Sequence, residues 1–100
     1  MSPHKWCLKF EDGFLDQFSN LDQKTKKIGY RQIQALLEAD NPYGLPKVLK
    51  VKSQGELRRI RVGNYRLFFI IEDGEAICEK SIFQGVLWLV KIKDRKDAYR

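Results

Sequence analysis

Residues 55–72 constrain this chain more than any other stretch, because they read as a β-hairpin whose register can be worked out from the turn. Two β-forming runs, Leu57-Arg-Arg-Ile-Arg-Val62 and Tyr65-Arg-Leu-Phe-Phe-Ile-Ile71, flank Gly63-Asn64, and such a pair between alternating apolar runs is a two-residue turn signal. With that turn, Val62 lies opposite Tyr65, Arg61 opposite Arg66, Ile60 opposite Leu67 and Arg59 opposite Phe68. Side chains alternate along a strand and opposed residues share a face. Ile60, Val62, Tyr65, Leu67 and Phe69 therefore point one way and Arg59, Arg61 and Arg66 the other. Like charges facing each other on a sheet cost up to about 1 kcal/mol, so a strand built only for structure has better choices. A polyanion relieves the repulsion, and a one-residue slip moves Arg66 to the other face.

Nineteen Lys and Arg against thirteen Asp and Glu leave a formal charge of +6, which favours an anionic partner, either nucleic acid or an acidic protein segment. One hundred residues suit a single domain, 1–100, with one core. No apolar run approaches the ~20 residues needed to span a bilayer. The first ten residues lack the apolar segment and cleavage site of a secretory signal, so the cytoplasm is the expected location. Cys7 and Cys78 read as small buried hydrophobes, with neither a disulfide nor a metal role. His4 is the only histidine, which removes His-based acid–base catalysis and multi-His metal sites.

In chain order, Lys5 to Phe10 alternates as a short strand. Asp12 is positioned to cap a helix carrying Phe14, Leu15, Phe18 and Leu21. Asp22 is positioned to cap a second, with Ile28, Ile33, Leu36 and Leu37 on one stripe and Lys24, Lys26, Lys27 and Arg31 largely outside it, until Asp40-Asn41-Pro42 stops it. Pro42 to Pro46 is a loop, and Val48 to Lys52 a short strand or an extended basic loop. Beyond the hairpin, Asp73-Gly74 is expected to turn the chain into a strand over Glu75 to Phe83. Gly85 is expected to break the pattern before Val86 to Val90, a covered strand with Trp88 in the core. In an extended chain Lys91, Lys93 and Arg95 share one side, Val90 and Ile92 the other. The fold class expected is α+β, with an N-terminal strand and a two-helix hairpin packed on one face of a mainly antiparallel β-sheet.

Four pieces in this order resemble the RelE/ParE superfamily of toxins from prokaryotic toxin–antitoxin pairs. They are the helix ending Glu38-Ala-Asp-Asn-Pro42, the segment Leu49-Lys-Val-Lys52, the pair Leu57-Arg-Arg-Ile-Arg-Val-Gly-Asn-Tyr-Arg66, and the ending Asp94-Arg-Lys-Asp-Ala-Tyr-Arg100. The resemblance spans almost the whole chain and implies a RelE-like fold with a basic concave surface. It implies one of two activities: RelE-type members cleave messenger RNA in the ribosomal A site without a metal, and ParE-type members inhibit DNA gyrase. On the nuclease reading the catalytic positions fall on Arg59, Arg61, Arg66, Lys93, Arg95 and Tyr99, with Lys50, Lys52, Arg58, Lys91 and Lys96 as RNA contacts and no cofactor. The implied partners are a cognate antitoxin, in a toxin–antitoxin hetero-oligomer, and messenger RNA on the ribosome. A degenerate member that only binds its antitoxin or RNA is a further alternative.

The sequence departs from the family pattern in two ways. Extra residues, centred on Ser81 to Gly85, separate Asp73-Gly74 from the terminal motif, so the last strand is lengthened or an additional one forms. Some members also place a His beside the terminal tyrosine or a Glu on the sheet, whereas Ala98 precedes Tyr99 here. The plain structural readings stand beside these: a solvated arginine face, ordinary surface charge at Lys50 and Lys52, a solvated helix face at Lys24, Lys26 and Lys27, and Tyr99 as an anchor for the tail.

Overall fold

The structure, a computed structural model, describes residues 5–52 and 55–96. They form β1 (Trp6–Phe10), α1 (Phe14–Ser19), α2 (Gln23–Glu38), β2 (Leu49–Lys50), β3 (Arg58–Val62), β4 (Tyr65–Cys78) and β5 (Ser81–Asp94), with a 3-10 turn at Pro42–Gly44. The strands make one sheet in the order β1-β5-β4-β3-β2, parallel between β1 and β5 and antiparallel elsewhere. Both helices pack on one face, as the α+β reading requires. Ile60, Val62, Leu67, Phe69, Leu87, Leu89 and Ile92 from the sheet meet Phe14, Phe18, Leu21, Leu36 and Leu37 in the core. No helix among the described residues is long and apolar enough to cross a membrane.

The helix caps divide. Asp22 caps α2, its carboxylate accepting from the Thr25 backbone N–H at 3.1 Å and from the Thr25 hydroxyl at 2.6 Å. These bonds favour the ionised form and hold the Asp22 carboxyl below its ordinary value. Asp12 does not cap α1: Gly13 occupies the N-cap at φ +85° with no side-chain bond. In this six-residue helix only Phe14 and Phe18 face inward, and Leu15 is 59% exposed. Val48 to Lys52 contributes only the two residues of β2.

The expected turn at Asp73-Gly74 is not a turn. Strand β4 runs through it as an irregularity in which Gly74 and Glu75 stand against Gln84 alone, between the pairs Asp73↔Gly85 and Ala76↔Phe83. The chain reverses instead at Glu79-Lys80, both in the left-handed region at φ +48° and +68°. Gly85 does not break the strand either. It pairs with Trp6 of β1, and a Cβ there would collide with the Glu72 carbonyl oxygen and the Trp6 ring, so a glycine is what lets the tryptophan lie flat on β5. The Trp6 indole N–H donates to the Ala39 carbonyl at 2.8 Å, tying β1 to the end of α2.

The two cysteines are bonded to each other, which overturns their reading as separate buried hydrophobes. Cys7 pairs with Val86 and Cys78 with Ser81. Val86 and Ser81 are ~17 Å apart along a straight strand, yet the cysteine Cα atoms lie 6.2 Å apart. The tip of the β4–β5 hairpin therefore folds back over the sheet. Trp6 and Leu8 pack on the helix side, so Cys7 and the tip lie on the opposite face.

The bridge closes a 71-residue separation, which by chain entropy stabilises the fold by up to about 4 kcal/mol. Thiol titration of the unfolded protein is expected to find two reactive thiols only after reduction, and Cys78→Ser is expected to lower the melting temperature by several degrees. Equal melting curves with and without reductant would show that the bridge does not form.

Candidate functional site

The face opposite the helices is built by pairing register. Arg61 lies opposite Arg66 as the turn predicts, and Arg66 lies opposite Lys93 on its other side. Three cations thus form one row across β3, β4 and β5. Two residues along, Arg59, Phe68 and Lys91 form a parallel row. Strands sit ~4.8 Å apart and rows ~7 Å apart, so five cations surround one aromatic ring on a patch the size of a dinucleotide. Gly63 takes φ +61° at the first turn position, the backbone that keeps the two strands in this register.

The Arg61 Nε donates to the Gly63 carbonyl at 3.1 Å and Arg66 to its neighbour Tyr65 at 3.3 Å. Each bond uses one of five guanidinium donors. Among the described residues no carboxylate pairs with Arg61, Arg66 or Lys93. Lys91 holds its ammonium 5.0 Å from the centroid of the Phe68 ring. The patch is therefore positive, held by its backbone, and offers several unused donors for phosphate oxygens.

A bulge places the lysines there. Lys91 pairs with Phe68 and Leu89 with Phe69, so Val90 has no partner of its own. Leu87, Leu89 and Ile92 point to the core, a spacing of two and then three. In a regular strand that kept Val90 paired, Lys91 and Lys93 would continue the inward series of Leu87 and Leu89. The register in this region does differ from an uninterrupted strand, and Val90 is where it changes.

The other expected residues fall outside the two rows. Arg58 shares parity with Ile60 and Val62, lies 4.3 Å from the Tyr43 ring centroid, and donates to the carbonyls of Gly55 and Leu57. Lys50 pairs with Arg58, and Lys52 is exposed beyond β2. Arg95 follows β5, its backbone N–H bonded to the Asn64 carbonyl at 2.8 Å, which brings it beside the hairpin turn at the end of the Arg61–Arg66–Lys93 row. Lys96 is exposed, with its N–H on the Asp94 carboxylate. Tyr99 lies outside the described residues. The Tyr43 hydroxyl donates to the Glu56 carbonyl and accepts from the Ile71 N–H, and burial pushes its ionisation up.

Trp88 is where sequence reasoning missed. It was expected in the core, but it pairs with Ile70 and Lys9 on the face opposite the helices, half-buried, its indole N–H donating to Glu72 at 3.0 Å. The signal that could have found it is the odd parity of Leu87, Leu89, Lys91 and Lys93, which no regular strand accommodates. Resolving that conflict with a bulge fixes Trp88 on the side of the lysines.

No family model and no curated protein matches the sequence. Among solved structures, the chain is similar to a chain of the RelB–RelE antitoxin–toxin complex from Methanococcus jannaschii, with a TM-score of 0.62 and 19% identity over 90% of this chain and 93% of that one. It is also similar to a chain of the archaeal RelE–RelB complex from Pyrococcus horikoshii OT3, with a TM-score of 0.60 and 21% identity over 91% and 96%. The fold is RelE-like.

Two stability outcomes follow from the register. Arg61→Thr is expected to raise stability by up to about 1 kcal/mol, less at high salt, because it removes an opposed like charge. Deleting Val90 is expected to remove the bulge while leaving Lys91 and Lys93 outward and Ile92 inward, so that the deletion and Val90→Ala each stay within ~1.5 kcal/mol. Urea unfolding of the three variants checks both; a deletion that costs about 3 kcal/mol or more, as turning the two lysines inward would, would refute the bulge.

Proposed function

We propose that this chain is the toxin of a type II toxin–antitoxin pair, a single domain over 1–100 that cleaves messenger RNA in the ribosomal A site without a metal. The observation that carries the reading is the Arg61–Arg66–Lys93 row on an open face of a RelE-like fold. Metal-independent cleavage has the ribose 2′-oxygen lose its proton and attack the adjacent phosphorus. Negative charge then builds on the phosphate oxygens until the 5′-oxygen leaves with a proton. On this reading Arg66, flanked by Arg61 and Lys93, receives that charge, and fixed guanidinium donors do so with little reorganisation. The same positive field favours the 2′-alkoxide over its protonated form.

Lys93 or Arg95 assists the leaving oxygen on this reading, and Arg59 with Lys91 holds the next phosphate. Lys52 and Lys96 contribute at the margins as phosphate contacts, Lys50 and Arg58, which pair on the side of Ile60, do so only from the edge of the sheet, and Tyr99 stacks on or positions a base. An antitoxin with an acidic and apolar segment covers the same face in a hetero-oligomer, so antitoxin and RNA compete for one set of cations. The ribosomal target places the protein in the cytoplasm. Disulfides are uncommon in reducing compartments, but the Cys7–Cys78 bridge pins the hairpin tip while the cation rows are set by register, so the face is the same with the bridge open or closed.

The test is primer-extension mapping of messenger RNA in a reconstituted translation reaction, comparing the wild-type chain with Arg66→Ala, and with ribosomes omitted as a control. Cuts within the A-site codon that need ribosomes and fall roughly a hundredfold or more with Arg66→Ala are the expected result. Intact RNA from folded protein would overturn the nuclease reading and direct attention to gyrase supercoiling, with the arginines as a binding surface.

A further inference from the structure

The exposed face does not end at the two cation rows. Trp88 of β5 lies opposite Ile70, four residues along β4 from Arg66, which places it ~13 Å from the Arg66–Lys93 pair on the same side of the sheet. Phe68 and Lys91 lie between them. The Glu72 carboxylate holds the indole N–H at 3.0 Å, which fixes the ring from its edge. The Lys9 ammonium sits 5.5 Å from the ring centroid. Read along the sheet, the order is a triple of cations, an aromatic with a lysine over it, then a second aromatic with a lysine over it.

We propose that Trp88 is a base-stacking subsite for single-stranded RNA, about two nucleotides along from the phosphate held by Arg61, Arg66 and Lys93. The inference rests on the RNA reading above and goes beyond it, because no residue on the cation rows themselves offers a base a π-face that is not buried: Phe68 is only 4% exposed. Alternating cations and aromatic rings on one face suit single-stranded nucleic acid, since the cations track phosphates while the rings accept any base by stacking. Lys9 is exposed, so its ammonium can move from the ring to a phosphate when a base takes its place.

The probe is a short single-stranded oligoribonucleotide with every 2′-hydroxyl methylated, which binds without being cut. Binding is expected to quench tryptophan fluorescence in the wild type and not in Trp88→Phe, whose remaining Trp6 is buried at 3% exposure. Trp88→Ala is expected to weaken binding roughly ten- to a hundredfold, and Trp88→Phe only a few-fold. An oligonucleotide with one abasic position is expected to lose the same factor against the wild type and nothing against Trp88→Ala. Circular dichroism establishes that the variants are folded. Salt-sensitive binding that needs Arg66 but causes no quench and is indifferent to Trp88→Ala would overturn this subsite and leave the cation rows as proposed. No binding at all, by folded wild-type protein, would overturn both.

Discussion

The pleat of the sheet is the constraint on which everything else depends. A side chain on a strand has two directions to choose from, and in this chain one leads into a core and the other to an open face. The two-residue turn at Gly63-Asn64 sets the phase of β3 against β4, and the missing partner of Val90 sets the phase of the last part of β5 against β4. Together they sort the residues into a leucine-rich side and a cation-rich side. A shift of one residue at either place would bury charges and expose the core.

The core makes the crowded cations tolerable. Opposed like charges cost up to about 1 kcal/mol, whereas each fully buried Leu, Ile, Val or Phe contributes about 1.5–3 kcal/mol relative to exposure. Ile60, Val62, Leu67 and Phe69 stand on the same two strands as Arg59, Arg61 and Arg66, and all four are nearly inaccessible. The apolar side of the hairpin therefore holds the strands in register against the repulsion on the other side. Because the helices cover only one face, the cations keep access to solvent while fixed in place, Arg61 and Lys93 fully and Arg59, Arg66 and Lys91 in part.

Legibility followed the range of the interactions. The β3–β4 register could be read because its turn chemistry and both its strands are contiguous in sequence, and the Asp22 cap because it reaches only three residues ahead. The hairpin beyond was misread at each end. Asp73-Gly74 has turn composition but serves as an irregularity within a strand, while the real turn, Glu79-Lys80, uses two residues that do not ordinarily mark a left-handed turn. The Cys7–Cys78 bridge was invisible because it depends on the tip folding back, a property of the whole sheet. Trp88 was misplaced for a related reason: five apolar residues in a row look covered on both sides, and only the pairing around Val90 separates Leu87 and Leu89 from Trp88.

The hairpin tip gives the open face a direction. Glu72, Asp73, Glu75 and Glu79 are all exposed on or near the folded-back end, against the single cation Lys80, while Arg61, Arg66 and Lys93 occupy the far end of β4 and β5. A polyanion approaching this face is attracted at one end and repelled at the other, with the repulsion confined by screening to about a Debye length, ~8 Å at physiological salt. The resulting gradient favours phosphate at the arginine row, keeps the stretch around Phe68 positive through Arg59 and Lys91, and falls off towards Glu72 and the acidic tip.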